Sequence, residues 1–179
     1  FILFKKKYEA FSSRCKYLYN YLSFKNLKQI NFFSERITFP TENKNDSDIQ
    51  KVFSRLKSEN KVVLKCDIEG DEYKIIDEIL NYSERIEMLI FEFHSLRNNE
   101  DIFFTKIKKL IDKFNIIHLH GNNHDGIHLS GLPETIEITM INKKYSLKNS
   151  NLTTSFPLEN LDFPNNPNVK DLKFYFNIN

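Results

Sequence analysis

Tryptophan is absent from this chain, alanine occurs once, and glycine is down to four residues, all of them from Gly70 onward. There are two cysteines, Cys15 and Cys66, too few for a disulfide framework, which makes a reducing, cytoplasmic compartment the expected setting. No apolar run approaches the ~18 residues that a membrane span needs. The opening FILFKKKYEAF puts its apolar residues before its charges, the reverse of a secretory signal, and has no initiator Met. The chain is therefore expected to be a fragment of something longer. A net charge of +2, with Lys and Glu interspersed, offers no basic stripe for nucleic acid. Repeats and low-complexity tracts are missing as well.

What the chain does have is aromatic bulk. Seventeen Phe and eight Tyr supply the volume for a core in a chain of 179 residues, long enough for one domain. Apolar residues make up 40%, below the usual globular share but too many for a disordered chain.

Periodicity orders the elements. Tyr8, Phe11, Cys15, Leu18, Tyr19 and Leu22 recur at three- and four-residue steps and predict a helix over 8–22. QINFFSERITF (29–39) reads as a strand and PTENKND (40–46) as a loop. Ser47 and Gln50 form a capping box before a helix with Ile49, Val52, Phe53 and Leu56 on one stripe. KVVLKCD (61–67) is a β-branched run, hence a strand, and the helix after Gly70 aligns Tyr73, Ile76 and Leu80. IEMLIFEFH (86–94), apolar on both faces until its end, reads as a buried parallel strand. A helix follows, with Phe103, Ile107, Leu110, Ile111 and Phe114 on one stripe, and then strands at 115–120 and 134–141. The order β-α-β-α-β-loop-β predicts an α/β fold with a largely parallel sheet and helices packed on it. The tail from 150, with three of the five Pro, reads as an extended segment packed onto the domain.

In such a sheet, ligands bind beyond the carboxyl ends of the strands. Three strands turn polar at that edge. The first ends in Asp67, then Glu69 and Gly70; the second in Glu92 and His94; the third in His118, His120, Gly121, Asn122 and Asn123. Asp71 and Glu72 suit the first turn of a helix and its dipole, whereas carboxylates at Asp67 and Glu69 point to use. Glu92 and His94 share a strand face. They fit an oriented base, a pair of metal ligands or an ion pair closing the core. His118 and His120 also share a face and could chelate with Glu92 as the carboxylate. His124 and His128 lie in the loop beyond and are expected to be solvated.

Five runs, VVLKCDIEGDEYKII, LIFEFHSL, IIHLHGNN, LPETIEITMINKKY and LENLDFPNNPNVKDL, together resemble the FkbM-like family of S-adenosylmethionine-dependent methyltransferases. The Glu-Phe-His and His-x-His-Gly-Asn-Asn runs resemble one subgroup of it, largely bacterial. The likeness covers about residues 45–175. It implies a class I methyltransferase fold, Rossmann-like, with residues 61–67, 86–94 and 115–120 as its fourth, fifth and sixth strands and 134–141 as an antiparallel seventh. Residues 1–45 would then be what remains of the cofactor half, 46–149 the carboxyl-terminal half of the domain, and 150–179 a segment packed on it. The glycine-rich turn that holds the cofactor in this family has no counterpart, so the domain is expected to be incomplete at its amino-terminal side.

The implied activity is methylation of a hydroxyl on a sugar, glycan or small metabolite. Asp67 and Ile68 would lie against S-adenosylmethionine, with His94, Glu69 and His120 as candidates for base or acceptor orienter. Glu92, His118, Asn122 and Asn123 would contact the acceptor, and no metal is required. The rival expectations are a metal-dependent enzyme built on Glu92, His94, His118 and His120, and a degenerate domain that only binds.

Overall fold

The computed structural model describes residues 16–25, 27–124, 126–127, 130–145 and 155–175. The chain divides into two compact units, Phe1–Glu35 and Arg36–Asn179. In the first, residues 16–25 form helix α1. Tyr21 meets Phe32 edge-on at 5.7 Å, and the Lys25 ammonium lies 4.7 Å over the same ring. Leu18, Tyr19 and Leu22, expected to face a core, are exposed. Tyr8, Phe11 and Cys15 lie outside the described residues.

The second unit opens with two short parallel strands, β1 (Arg36–Ile37) and β2 (Asp46–Ser47). The strand expected over 29–39 is realised only as β1. Its ladder cannot run on through Pro40, which has no amide hydrogen to donate. Helix α2 (Ile49–Ser54) follows, and its cap is Asp48, whose carboxylate accepts from the Lys51 amide at 2.7 Å. Ser47, expected to be the cap, is instead buried in β2.

The main sheet has four strands: β3 (Val62–Cys66), β4 (Ile86–Phe93), β5 (Phe114–Gly121) and β6 (Ile136–Asn142), in the spatial order β3-β4-β6-β5. Helices α3 (Glu72–Asn81) and α4 (Leu96–Ile111) connect the first three strands. β3 and β4 pair in parallel, whereas β6 is antiparallel to both β4 and β5. The architecture is thus mixed α/β, with β3, β4 and β5 pointing one way and β6, the last of the four in the chain, running against them as expected for 134–141. β5 and β6 follow one another with no helix among the described residues between them, and they pair antiparallel. β6 then fills the place beside β4 that a parallel strand would have taken. Among the described residues no helix is long and apolar enough to cross a membrane.

The two faces of the sheet differ. On one, Leu89, Phe91 and Phe93 of β4 stand beside their β6 partners Met140, Ile138 and Ile136, all buried. Phe93 packs against Tyr73 of α3 at 5.6 Å and Phe103 of α4 at 5.3 Å. Fully burying one such ring stabilises by roughly 1.5–3 kcal/mol. Ile75, Ile76 and Ile79 complete the α3 side. On α4 the buried stripe is Leu96, Phe103 and Leu110. Phe114 belongs to β5, not to the helix.

The opposite face is half-polar. β4 presents Met88, Ile90 and Glu92 there, only partly covered, so this strand is not buried on both sides. The register sets Glu92 beside Glu137 and Glu137 beside His120, with Thr139 beside His118. The carboxyl-terminal segment lies over the β5 part of this face. Within it, β7 (Ser155–Phe156) pairs with β8 (Phe174–Tyr175). Phe174 comes so near Gly121 that an added Cβ would sit 2.7 Å from the ring. That close approach is why glycine stands at the end of β5.

Candidate functional site

β3 and β4 run side by side in the same direction, so their carboxyl ends deliver Asp67 and His94 to one edge. The turn after β3 is tight, with Glu69 at φ 57° and Gly70 at φ 108°, before α3 begins at Glu72. Ser95, directly after His94, also adopts a left-handed φ of 55°. Left-handed non-glycine residues store strain that surrounding contacts must hold in place, and here those contacts are visible.

The buried one is Glu72, fully inaccessible to solvent. Its carboxylate accepts the Ile68 amide at 3.0 Å and the Gly70 amide at 3.0 and 3.2 Å. The same oxygen that takes the Ile68 amide meets Nδ1 of His94 at 3.0 Å. The Tyr73 hydroxyl donates to the His94 carbonyl at 2.7 Å. One turn of α3 therefore fixes the acidic turn, the imidazole and the backbone beneath it.

With Nδ1 held, Nε2 of His94 faces a rim of carboxylates. Asp67 lies at 3.9 Å, Glu69 at 3.7 Å and Glu92 at 3.9 Å, each beyond direct hydrogen-bond range. The imidazole is 16% exposed and Glu69 is 85% exposed, so the rim opens to solvent on the Glu69 side. Asp67 is also paired with Lys65 at 3.1 Å. The Asn122 amide reaches Glu92 at 3.4 Å and its carbonyl accepts the His124 amide at 3.0 Å. Ligand atoms of Asp67, Glu69 and His94 all fall within 4.8 Å of one another, close enough to hold one cation.

Burial alone would lower the pKa of His94, but the Glu72 hydrogen bond and the charges of Glu72, Glu69 and Glu92 outweigh it and hold it above the usual 6.5. Glu92 is raised, chiefly by burial. Cys66 is pushed up to about 12 by burial, and burial likewise raises the Tyr73 phenol. Neither supplies a nucleophile near neutral pH.

The remaining expected residues separate from this edge. His120 is 5% exposed, and its ring lies between Glu137 at 3.7 Å and Asp171 at 3.1 Å. His118 meets Asp162 at 2.9 Å and Phe156 edge-on at 5.5 Å. Asn123, 2% exposed, donates to the carbonyls of Asn166 and Val169 at 3.0 Å and accepts the Asn166 amide at 2.7 Å. These three side chains fasten the carboxyl-terminal segment. The structure thus places His120, expected as a catalytic group, and His118 and Asn123, expected at the acceptor, with the carboxyl-terminal segment and away from His94. His118 and His120 face tail carboxylates, so the four-residue set with Glu92 and His94 is not brought together as one metal cluster among the described residues. His120 lies across two strand spacings from Glu92, about 9–10 Å. His124 is exposed, and His128 lies outside the described residues.

Glu72, Tyr73, Asp162 and Asp171 were not singled out from the sequence. Glu72 did carry a signal: a carboxylate two residues after a turn glycine can reach back to that turn's amides, as a capping box does. The tail aspartates lie within LENLDFPNNPNVKDL, a run that marked the segment but gave neither of them a role.

His120 yields a direct test. The Glu137 carboxylate beside its Nδ1 raises its pKa to about 9 against the opposing effect of burial, and Asp171 adds to the rise. A folded-state pKa above the unfolded value near 6.5 stabilises fully below pH 6.5, and that contribution is lost as pH climbs to about 9. The melting temperature of the protein is expected to fall across that window by the equivalent of roughly 3 kcal/mol, and His120→Gln to flatten the fall. Equal slopes in both proteins would contradict the assignment.

No protein-family model, curated protein or solved structure matches this chain.

Proposed function

We propose that the edge formed by Asp67, Glu69, Glu92 and His94 is the acceptor-activating site of an S-adenosylmethionine-dependent methyltransferase with a Rossmann-like sheet, acting on a hydroxyl of a sugar or another small polyol. The observation that carries the reading is the His94 imidazole, held at Nδ1 by buried Glu72 with Nε2 facing the rim. Two further observations support it. The acidic turn and His94 lie at the carboxyl ends of adjacent parallel strands, where such sheets bind ligands. The last strand of the main sheet is antiparallel, as the resemblance implies.

His94 is the base. Its open Nε2 takes the proton of the acceptor hydroxyl, and the surrounding carboxylates favour the imidazolium that forms. Glu92 and Asn122, already in contact, offer an acceptor and a donor for neighbouring hydroxyls. A rim of three carboxylates disfavours anionic acceptors, so a neutral polyol suits it better than a phosphate or an acid. Glu69, exposed and held at left-handed φ, is placed to orient the acceptor.

S-Adenosylmethionine would supply an electrophilic methyl group. The residues present fit it on one side only. Asp67 and Ile68 stand where the resemblance puts that cofactor, but no glycine precedes Gly70 to form a close-approach turn for its methionine and ribose.

A second reading of the same edge is a divalent cation on Asp67, Glu69 and His94. The 4.8 Å spacing of their ligand atoms favours it, as does a carboxylate on the far ring nitrogen, the usual support of a metal-bound histidine. The test is transfer of a labelled methyl group from S-adenosylmethionine to a panel of neutral sugars by the protein expressed from its gene, with and without a chelator. The base reading expects labelled O-methyl product, unaffected by chelation. Product lost on chelation selects the cation, and no label on any hydroxyl contradicts the methyltransferase.

A further inference from the structure

We infer that Glu72 is the positioning residue that turns His94 into a directed base, a role that rests on the proposed function. Three independent donors converge on this one carboxylate: the amides of Ile68 and Gly70 and Nδ1 of His94. All of this takes place with Glu72 fully buried at the first turn of α3. A helix-start carboxylate serving only its own helix would aim at the amides of that helix and stay solvated. Glu72 instead ties two elements together: the turn after β3, which carries Asp67 and Glu69, and the end of β4, which carries His94.

The consequence is chemical. A carboxylate at Nδ1 places the ring proton there and leaves the Nε2 lone pair for the acceptor. The same bond fixes the ring plane, so Nε2 keeps its 3.7–3.9 Å distances to Asp67, Glu69 and Glu92. The groups that face the imidazole from the packed elements are Glu72 from α3, Asp67 and Glu69 from the turn after β3, and Glu92 from β4. Of these, only Glu72 lies within hydrogen-bond distance. The other three act through space on Nε2, so removing Glu72 separates orientation from general acidity of the rim. Tyr73 supports the arrangement from below through the His94 carbonyl, which secures the backbone but not the ring.

The test is nitrogen-resolved NMR of the His94 imidazole in the full chain, without cofactor or acceptor. Above its titration, wild-type His94 is expected to be the Nδ1-H tautomer. Glu72→Gln keeps an oxygen that can accept Nδ1-H but removes the charge, and the His94 midpoint is expected to drop by about one pH unit. Glu72→Asp, which keeps the charge on a shorter stem, is expected to restore part of that drop. A predominant Nε2-H tautomer in the wild type overturns the role, as does a folded Glu72→Gln whose His94 titrates at the wild-type pH. Should Glu72→Gln fail to fold, the wild-type tautomer alone decides. The spectra need no turnover, so a missing methyl transfer beside an Nδ1-H tautomer sinks the function and spares Glu72. Methyl transfer beside an Nε2-H tautomer does the reverse.

Discussion

His94→Gln is expected to lower methyl transfer to a hydroxyl acceptor by about 10²–10⁴-fold, the range that a positioned general base contributes. Glutamine keeps most of the ring's reach and can still donate to Glu72, so the turn after β3 should survive and the melting temperature should change little. What disappears is a proton acceptor where Nε2 stood, opposite Asp67, Glu69 and Glu92. The loss should fall on kcat more than on KM, because the imidazole matters chiefly in the transition state. The measurement is the initial rate of labelled product, wild type against variant, with circular dichroism to show both are folded. A variant that retains more than about a tenth of the rate would remove His94 from the chemistry.

Asn123→Leu is expected to cost about 3 kcal/mol and to free the carboxyl-terminal segment. The side chain is nearly inaccessible and satisfies two carbonyls and one amide of that segment. Leucine keeps the branched skeleton but pairs with none of them, and an unmet buried polar group costs about 1–3 kcal/mol. Asp162 and Asp171 would still face His118 and His120, yet the loop between those aspartates would lose its anchor. Limited proteolysis should then cut between residues 160 and 175 well before the sheet is attacked, and the melting temperature should drop by several degrees. A segment as protected as in the wild type, with an unchanged melting temperature, would show that the aspartate–histidine pairs suffice.

These two residues also show what the sequence could and could not convey. The polar ends of the apolar runs marked the edge of the sheet correctly for Asp67, Glu69 and His94, because strand direction and alternation are local properties. The strand read at 61–67 stands as Val62–Cys66 and the helix after Gly70 as Glu72–Asn81. Whether a polar residue at that edge is free or committed is not local. His118, His120 and Asn123 resemble His94 in type and position along their strand. Their partners Asp162, Asp171 and Asn166 lie more than 40 residues away, and only the path of the tail assigns them to structure. The antiparallel direction of 134–141 came from the resemblance, and its place in the sheet is not a local property either. Alternation shows which residues share a face, but not that β6 inserts between β4 and β5. Glu72 was assigned to the helix dipole, which its position suits. Its burial and its contact with His94, 22 positions on, make it part of the site.

The most direct test of the central claim is the pH dependence of methyl transfer to a neutral sugar, measured in the wild type and in His94→Gln. His94 must be neutral to accept a proton, and its pKa is held above 6.5. The wild-type rate should therefore rise with pH through one ionisation with its midpoint above 6.5, and the variant should show a low rate without that rise. The same ionisation in both proteins, or no transfer at any pH from a folded wild type that binds the methyl donor, would contradict the account.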